Sequence, residues 1–461
     1  MKWWTRSFAR ALPWVCAVAI LGMWSCAGES DSSGAGEAGE TGSDASAGEA
    51  GGDASARADS VSGLDVRGGG VDAEGDGTAQ DAGQGTSGED ISDAPLTLDD
   101  HKRQVLKSFA DNFAMPLLEG FVLAAEELVS ACALDAQTNS PENRQSARDA
   151  WRTAMALWQR LEVAPVGPAG AMGKVAGGMD LRDEIYSWPG SNRCRVDQET
   201  EEKAYADVEA FKAELVNVRG LDALEQLLFV EDDDNHCAAN SKLNSSGAWA
   251  ALTSDDIRKQ RADYAHTLAI ILLGHASSLE DAWEESFAES LATAGKGSDL
   301  FDTAHAGLNA LSDALFYLDK STKDMKLAIP TGISECDEET CPDALESEFA
   351  HVSRENVLAN LEAFRDVLNG GQAGRGDLHG WHDLLSAGGA GDLSAALDGA
   401  LESAIDLVAS HDASLLQLLE TDVEAARDMH TAVKEVTNLL KTEFLSALDL
   451  EIPQRAASDN D

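Results

Sequence analysis

One apolar stripe decides the fold of this chain, and it runs through VLKSFADNFAMPLLEGFVLAAEEL, residues 105–128. Val105, Phe109, Phe113, Leu117 and Phe121 follow one another at intervals of four, the spacing that places side chains on one face of an α-helix. The sequence contains no convincing alternation of β-branched residues, the pattern typical of a strand. It therefore predicts an all-α fold.

The same periodicity continues through most of the chain after Pro95. It marks the segments 142–162, 199–216, 219–229, 254–293, 301–326, 353–369, 392–419 and 421–448. Helices of roughly 15 to 40 residues joined by short links are typical of antiparallel bundles.

An order of features that occurs twice predicts two related bundles. A helix ending in LWQRLEVAPVGPAG (157–170) precedes a Cys-bearing loop, SWPGSNRC (187–194), and a further helix. In the second half, DMKLAIPTGI (324–333) precedes ECDEETCP (335–342) and another helix. The order repeats although the residues barely do. We expect a first bundle over 101–248 and a second over 249–452.

The N-terminus has the layout of an export signal. MKWWTRSFARALPWVCAVAILGMWSC, residues 1–26, has a basic start and an apolar stretch before a Cys. Its last four residues resemble a bacterial lipobox, which implies lipidation at Cys26, a membrane anchor and a place in the cell envelope. By resemblance to lipoprotein sorting in well-studied bacteria, Ala27 in place of Asp after the lipid site favours the outer membrane, and we expect an anchor on its periplasmic side or at the cell surface. An uncleaved anchor and ordinary secretion are the alternatives.

Residues 27–100 are predicted to form a disordered acidic linker. The segment consists mainly of Gly, Ala, Ser, Asp and Glu and contains no aromatic residue, so it cannot bury enough apolar surface to offset its ordering entropy. We also expect a disordered tail over 453–461.

The charge of the chain excludes one class of partner. It has 34 Lys and Arg against 82 Asp and Glu, a formal net charge of −48. Nucleic-acid binding needs clustered cations, so we expect no nucleic-acid partner.

Five of the seven cysteines lie beyond the predicted signal. In an oxidising compartment an even number should pair. We expect Cys336 with Cys341, Cys194 with Cys237, and an unpaired Cys132. A zinc site is the alternative, although the sequence contains no C-x-x-C.

The segment RGLDALEQLLF, residues 219–229, carries the chemistry of greatest interest. Asp222 and Glu225 are three residues apart, so both carboxylates lie on one helix face and could bind one hard cation. The alternative is a plain helix start, because acidic residues in a first turn complement the helix dipole without any ligand.

This segment, with AWRTAMALWQRLEVAPVGP (150–168), MDLRDEIYSWPG (179–190) and NVLANLEAF (356–364), resembles the imelysin family, in particular its lipoprotein branch. The resemblance covers about residues 101 to 452 and implies an exported, duplicated helical fold. The family has been described as metallopeptidases and is associated with iron uptake. Its signature, G-x-H-x-x-E, falls on Gly220, Leu221, Asp222, Ala223, Leu224 and Glu225, with Asp222 in place of the histidine.

This replacement bears on catalysis. It removes a nitrogen ligand, which leaves oxygen ligands for iron or another divalent or trivalent metal ion. The sequence also lacks HExxH. We therefore expect binding of a metal ion or a metal-bearing ligand between the bundles, without catalytic residues, in iron uptake. An outer-membrane iron receptor or permease is the expected partner. A metallopeptidase with an altered site and a non-catalytic partner-binding protein are the alternatives.

Three further residues are candidate ligands. Glu162 matches an acidic residue that the family has before its Gly-Pro turn, and Arg182 and Asp183 precede Trp188-Pro189. Arg182 could clamp an anionic ligand or a neighbouring carboxylate. Solvated residues and a surface ion pair are the alternatives. His379 and His382 have the i, i+3 spacing of two ligands but lie among glycines.

Overall fold

A computed structural model describes residues 96–453. Within this range the chain forms helices and loops and contains no β-strand, so the all-α prediction is confirmed. The predicted signal with Cys26, the predicted linker up to residue 95 and the predicted tail from residue 454 onward lie outside the described residues. Within residues 96–453, no helix is both long enough and apolar enough to span a membrane.

The α-helices are numbered in chain order. They are α1 Leu98–Ser108, α2 Met115–Thr138, α3 Pro141–Leu161, α4 Leu181–Ile185, α5 Arg193–Glu202, α6 Val208–Phe211, α7 Gly220–Phe229, α8 Lys242–Ser245, α9 Ser254–Ala282, α10 Ala288–Ala292, α11 Ala304–Leu315, α12 Ser353–Leu368, α13 Trp381–Ala387, α14 Gly391–Ala409, α15 Leu415–Thr421, α16 Val423–Leu439 and α17 Leu445–Ala447. Wider π-helical turns occupy Phe109–Ala114, Trp283–Phe287, Leu318–Ala328 and Leu440–Phe444.

The long helices pack in two groups. In the first group α2 lies against α3 and α9, and α7 packs on α3 and α9. In the second group α14 packs on α12 and α16, and both of these contact the π-helical segment Leu318–Ala328. Contacts between α3 and α12 join the groups. Although α9 follows Trp249 in sequence, it packs with the first group; the domain boundary near residue 249 stays a prediction.

The predicted helices over 199–216 and 392–419 are each interrupted; in the second, α14 ends at Ala409 and α15 begins at Leu415. Periodicity favours a helix over 199–216, but α5 ends at Glu202, and the next residue, Lys203, has a left-handed backbone with φ 56°. A new short helix, α6, begins after Asp207, whose side chain accepts a hydrogen bond from the Ala210 N–H. The left-handed residue and the new cap divide the segment in two.

The apolar stripe that predicts the fold lies in the core. Each of its five large side chains from Val105 to Phe121 is at most 2% exposed. Trp151, Trp158 and Trp283 are also buried. Disulfides join Cys194 to Cys237 and Cys336 to Cys341, whereas Cys132 is buried and unpaired.

Candidate functional site

Helix α7 begins at a glycine that no other residue could replace without strain. Gly220 has φ 83°, and a Cβ built there would lie 2.7 Å from the Ile185 carbonyl oxygen. The preceding Arg219 is buried and forms an ion pair with Glu184 at 2.7 Å. This close approach fixes the direction of α7, in which every residue is buried. Its acidic residues therefore point into the protein.

Asp222 is a buried carboxylate whose two oxygens differ in their hydrogen bonding. Its Oδ2 accepts a hydrogen bond from Ser187 Oγ at 2.8 Å. No donor within the described residues reaches Oδ1 in hydrogen-bonding geometry. Burial raises the pKa of Asp222 to about 6, against the opposing effects of Ser187, first-turn amides and Arg182.

Glu225 connects α7 to the loop before α12. Its Oε1 accepts hydrogen bonds from the backbone N–H groups of Phe349 and Ala350, each at 2.9 Å. Burial raises the pKa of Glu225 to about 8, and the nearby Glu348 and Glu346 raise it further, while the two N–H groups oppose the shift. In the absence of a cation this carboxyl therefore retains its proton at neutral pH.

The two carboxylates share a cavity of about 160 Å³, which we call the carboxylate cavity. Its wall combines residues that are distant in sequence: Trp188, Pro189, Ser191, Arg193, Asp222, Glu225, Gln226, Met325, Ile329, Asp343, Ala344, Leu345, Ser347, Glu348 and Phe349. Residues of α7 thus face the π-helical segment and the 343–349 loop of the second group. The cavity is large enough for a cation with several waters.

A buried polar cluster lies close to this cavity. Lys326 Nζ, 1% exposed, donates to Gln159 Oε1 at 2.6 Å and to Asn360 Oδ1 at 2.9 Å. It also forms ion pairs with Glu162 at 2.7 Å and with Glu346 at 3.1 Å. We call these five residues the lysine cluster.

Tyr186 links the lysine cluster to the carboxylate cavity. Its hydroxyl donates to Glu346 Oε1 at 2.9 Å. Burial holds the pKa of Tyr186 well above its usual value, and the charges of Glu346, Glu162, Glu225 and Asp222 raise it further. The phenol therefore lies within electrostatic reach of both sets of carboxylates.

Of the sequence-predicted ligands, the structure places Asp222 and Glu225 together and Glu162 apart from them. Glu162 is buried and paired with Lys326, and it does not line the carboxylate cavity. Lys326, Glu346, Gln159 and Asn360 were not identified from the sequence. The available signal was polar residues at buried positions of helical segments, such as Asn356 and Asn360 on the inner face of α12.

Arg182 and Asp183 line a second, larger cavity of about 630 Å³, which we call the outer cavity. It shares Trp188, Pro189 and Met325 with the carboxylate cavity. Arg182 donates to Asp183 Oδ1 at 2.8 Å and to the Trp188 carbonyl at 3.2 Å. Burial would lower the pKa of Arg182, but Glu162, Tyr317 and Asp183 raise it above its usual value. This arginine is therefore a fixed positive charge in the wall of the outer cavity, and its charge lowers the pKa of Asp222.

The two candidate histidines do not converge on one point. His379 Nε2 lies 3.0 Å from His101 Nδ1. His382 contacts Ser394 Oγ at 2.7 Å and Asp398 at 3.2 Å. Within residues 96–453, no group of three or more His, Cys, Asp or Glu side chains is arranged to hold a metal ion.

Comparison with known proteins identifies a family and a fold. The family model for imelysin, a peptidase family described as Peptidase_M75, matches residues 115–442. Among curated proteins, none matches the sequence. An imelysin-like protein from Psychrobacter arcticum has a similar structure, with a TM-score of 0.60 and 18% identity; the match covers 78% of this chain and 99% of the other.

A second solved structure shares the fold. It is described as "a putative iron-regulated protein A precursor" from Parabacteroides distasonis, with a TM-score of 0.54 and 16% identity. The match covers 76% of this chain and 97% of that protein. At this level of identity both likenesses establish the fold alone.

Proposed function

Because the chain belongs to the imelysin family, we propose that it is an envelope lipoprotein that binds a metal ion or a metal-bearing ligand at Asp222 and Glu225. The binding would serve iron uptake. The observation that carries the proposal is the pair of buried carboxylates on one wall of the carboxylate cavity. Burying such groups is unfavourable unless they stay protonated or acquire a positive partner.

The residues present fit part of a coordination sphere for a hard cation. Carboxylate oxygens suit iron, and Asp222 Oδ1 has no competing donor among the described residues. Glu225 already shares Oε1 with two backbone N–H groups. The protein thus offers two carboxylates, and water or a chelating ligand would supply the other ligands. Because the protein supplies only two of the ligands, this arrangement favours a metal ion that already carries a chelating ligand when it binds.

Binding without turnover is the better proposal than peptidase activity. A metallopeptidase needs three protein ligands around its metal and a free base that activates water. Here Glu225 Oε1 is engaged by Phe349 and Ala350, so this carboxylate positions the loop rather than standing free as a base.

Two observations support a proposal about where in the cell the protein acts. The name of the Parabacteroides distasonis protein refers to iron regulation, and the N-terminal sequence has the layout of a lipoprotein signal. We propose an anchor at Cys26 that holds the helical body at the outer membrane, on its periplasmic side or at the cell surface. An iron receptor or permease in that membrane would be its partner.

The test is iron binding by the mature protein and by the double variant Asp222→Asn, Glu225→Gln. We expect the wild type to retain iron after incubation with ferric citrate and desalting, and its melting temperature to rise, because a ligand of the native state stabilises that state. The double variant should lose both effects. Asp281→Asn with Glu285→Gln, two exposed positions, is the matched control. Equal iron content in all three proteins would refute the site.

A further inference from the structure

Four arginines line a cavity whose wall consists of different residues from that of the carboxylate cavity. Its volume is about 470 Å³, and we call it the arginine cavity. The four residues are Arg144, Arg148, Arg258 and Arg261. The whole chain has 34 Lys and Arg against 82 Asp and Glu. The cavity therefore concentrates positive charge in a molecule that is acidic as a whole.

Both pairs of arginines lie near the start of a long helix. Arg144 and Arg148 are among the first eight residues of α3, and Arg258 and Arg261 are among the first eight residues of α9. Each pair has the three- or four-residue spacing that places two like charges side by side, which is unfavourable. The N-terminal end of a helix also favours anions over cations. Both helices thus carry cations close to an end at which an anion would be stabilised.

Hydrogen bonds hold three of the guanidinium groups beside one another. They donate to carbonyls at the C-terminal end of α7: Arg144 Nη1 to Leu227 at 3.1 Å, Arg148 Nε to Leu228 at 2.7 Å and Arg261 Nη1 to Val230 at 3.3 Å. Residues 227–230 advance only about 5 Å along a helix axis. Arg144 Nη2 also donates to the backbone carbonyl of Arg258 at 3.3 Å, which joins α3 to α9 at this point. The three side chains therefore converge, through direct contacts, on one short segment.

The carboxylates of the cavity wall neutralise these charges only in part. Four guanidinium groups share the wall with three carboxylates, of which Asp135 is 1% exposed and pairs with Arg144 at 2.7 Å. The other two, Glu231 and Asp233, are exposed, so water and salt screen their charges. Arg261 is 3% exposed and donates to backbone carbonyls. A carbonyl satisfies an N–H group but does not supply the negative charge that stabilises a buried cation.

We propose that the arginine cavity binds a small oxyanion with two or more negative charges. Guanidinium groups recognise carboxylate and phosphate oxygens through paired N–H donors. Ser140, the N-cap of α3, and Ser254, the first residue of α9, also line the cavity, so two helix N-termini add to the attraction for an anion. The volume of the cavity is in the range of small-molecule sites.

This inference goes beyond the proposed iron site and does not depend on it, because different residues form the two cavities. The variant Asp222→Asn, Glu225→Gln should lose iron and still bind the oxyanion. Arg148→Gln with Arg258→Gln should lose the oxyanion and still retain iron. The two sites can therefore fail independently in experiment.

The experiment is calorimetric titration of the purified full-length chain with citrate and, separately, with inorganic phosphate. We expect one molecule of at least one of them to bind, and acetate at equal ionic strength to give no binding. Preference for citrate would identify a polycarboxylate ligand, and preference for phosphate a phosphate or phosphate ester. A net charge of −48 repels anions in general, which keeps non-specific binding low.

Variants locate the binding to the cavity. Arg258→Gln, at a side chain that is 49% exposed, should weaken binding by about 10-fold or more, the effect of losing a charge-assisted hydrogen bond. Arg148→Gln with Arg258→Gln should abolish it. Arg365→Gln is the matched control, because Arg365 is 33% exposed and pairs with an exposed glutamate on a different helix. This control should bind as the wild type does.

A second measurement uses the unmodified protein in case the variants do not fold. Phenylglyoxal modifies accessible guanidinium groups, and peptide mass spectrometry locates the label. The bound anion should protect Arg258 and leave Arg365 reactive. The proposal would be overturned if neither citrate nor phosphate bound, if folded Arg258→Gln bound as tightly as the wild type, or if Arg258 were labelled equally with and without the anion.

Discussion

At the level of single residues, the carboxyl groups of Asp222 and Glu225 differ in the hydrogen bonds that they accept. One carboxylate oxygen of Asp222 accepts no hydrogen bond from the described residues, whereas one oxygen of Glu225 accepts hydrogen bonds from two backbone N–H groups. Both have raised pKa values because burial disfavours the charged form. A cation that binds here must therefore displace protons, and its apparent affinity should rise with pH.

The raised pKa of Glu225 predicts how stability depends on pH. Between its ordinary value, near 4.5, and about 8, the native state binds this proton and the unfolded state has lost it. Stability must then fall as pH rises through that window, by up to about 1.4 kcal/mol per pH unit. Glu225→Gln cannot titrate, so its stability should fall less steeply over the same range.

The measurement is urea unfolding of the metal-free proteins at several pH values from about 5 to 8.5. The difference between wild type and Glu225→Gln isolates this carboxyl from the other titrating groups. Glu285→Gln, an exposed replacement of the same kind, should run parallel to the wild type. Parallel curves for Glu225→Gln as well would show that the native carboxyl titrates as it does in water.

The sequence predicted part of this site. Spacing and family resemblance identified Asp222 and Glu225, since both signals are local. The partners of these residues could not be predicted in the same way, because Ser187, Phe349 and Ala350 come from distant segments and two of them contribute backbone atoms. Side-chain identity carries no information about a backbone N–H.

At the level of elements, prediction succeeded where one helix buries a regular stripe. The segments that became α2, α3, α9 and α12 have long periodic patterns, and tertiary packing reinforces what the pattern favours. It failed over 199–216, where left-handed Lys203 ends a helix inside a periodic stretch. Lysine gives no local signal for that conformation, so the surrounding structure must impose it.

The start of α7 depends on a glycine, which gives a prediction at the same scale. In Gly220→Ala the added Cβ would lie 2.7 Å from the Ile185 carbonyl, on a backbone with φ 83°. We expect a loss of about 1–3 kcal/mol of stability and weaker iron retention, because α7 carries both carboxylates. Denaturant unfolding and the iron assay measure the two effects.

Gly274→Ala is the matched control for this prediction. Gly274 lies inside α9, and a Cβ built there meets nothing within 4 Å. Alanine should therefore stabilise the protein by about 0.5–1 kcal/mol through its better helix propensity. If both variants changed stability in the same direction, strain at residue 220 would not be the cause.

At the level of the whole molecule, the lysine cluster joins the two groups of helices. Lys326 belongs to a π-helical segment of the second group, and it binds Gln159 and Glu162 at the end of α3 in the first. Such a cluster specifies how the groups meet, since every polar atom must find its partner in a medium of low dielectric constant. Apolar contacts alone would tolerate small displacements.

Lys326→Met tests this role. Removing the ammonium leaves Glu162 and Glu346 buried side by side without their cation, which costs about 3–5 kcal/mol when one partner of a buried pair is lost. The triple variant Lys326→Met, Glu162→Gln, Glu346→Gln removes the stranded charges and should recover part of that loss. Lys242→Met, at a side chain that is 90% exposed, should stay within about 0.5 kcal/mol of the wild type. Urea unfolding of the four proteins at pH 7 measures these differences in stability. If the triple variant were no more stable than Lys326→Met, packing around the aliphatic part of the lysine side chain, and not its charge, would hold the two helix groups together.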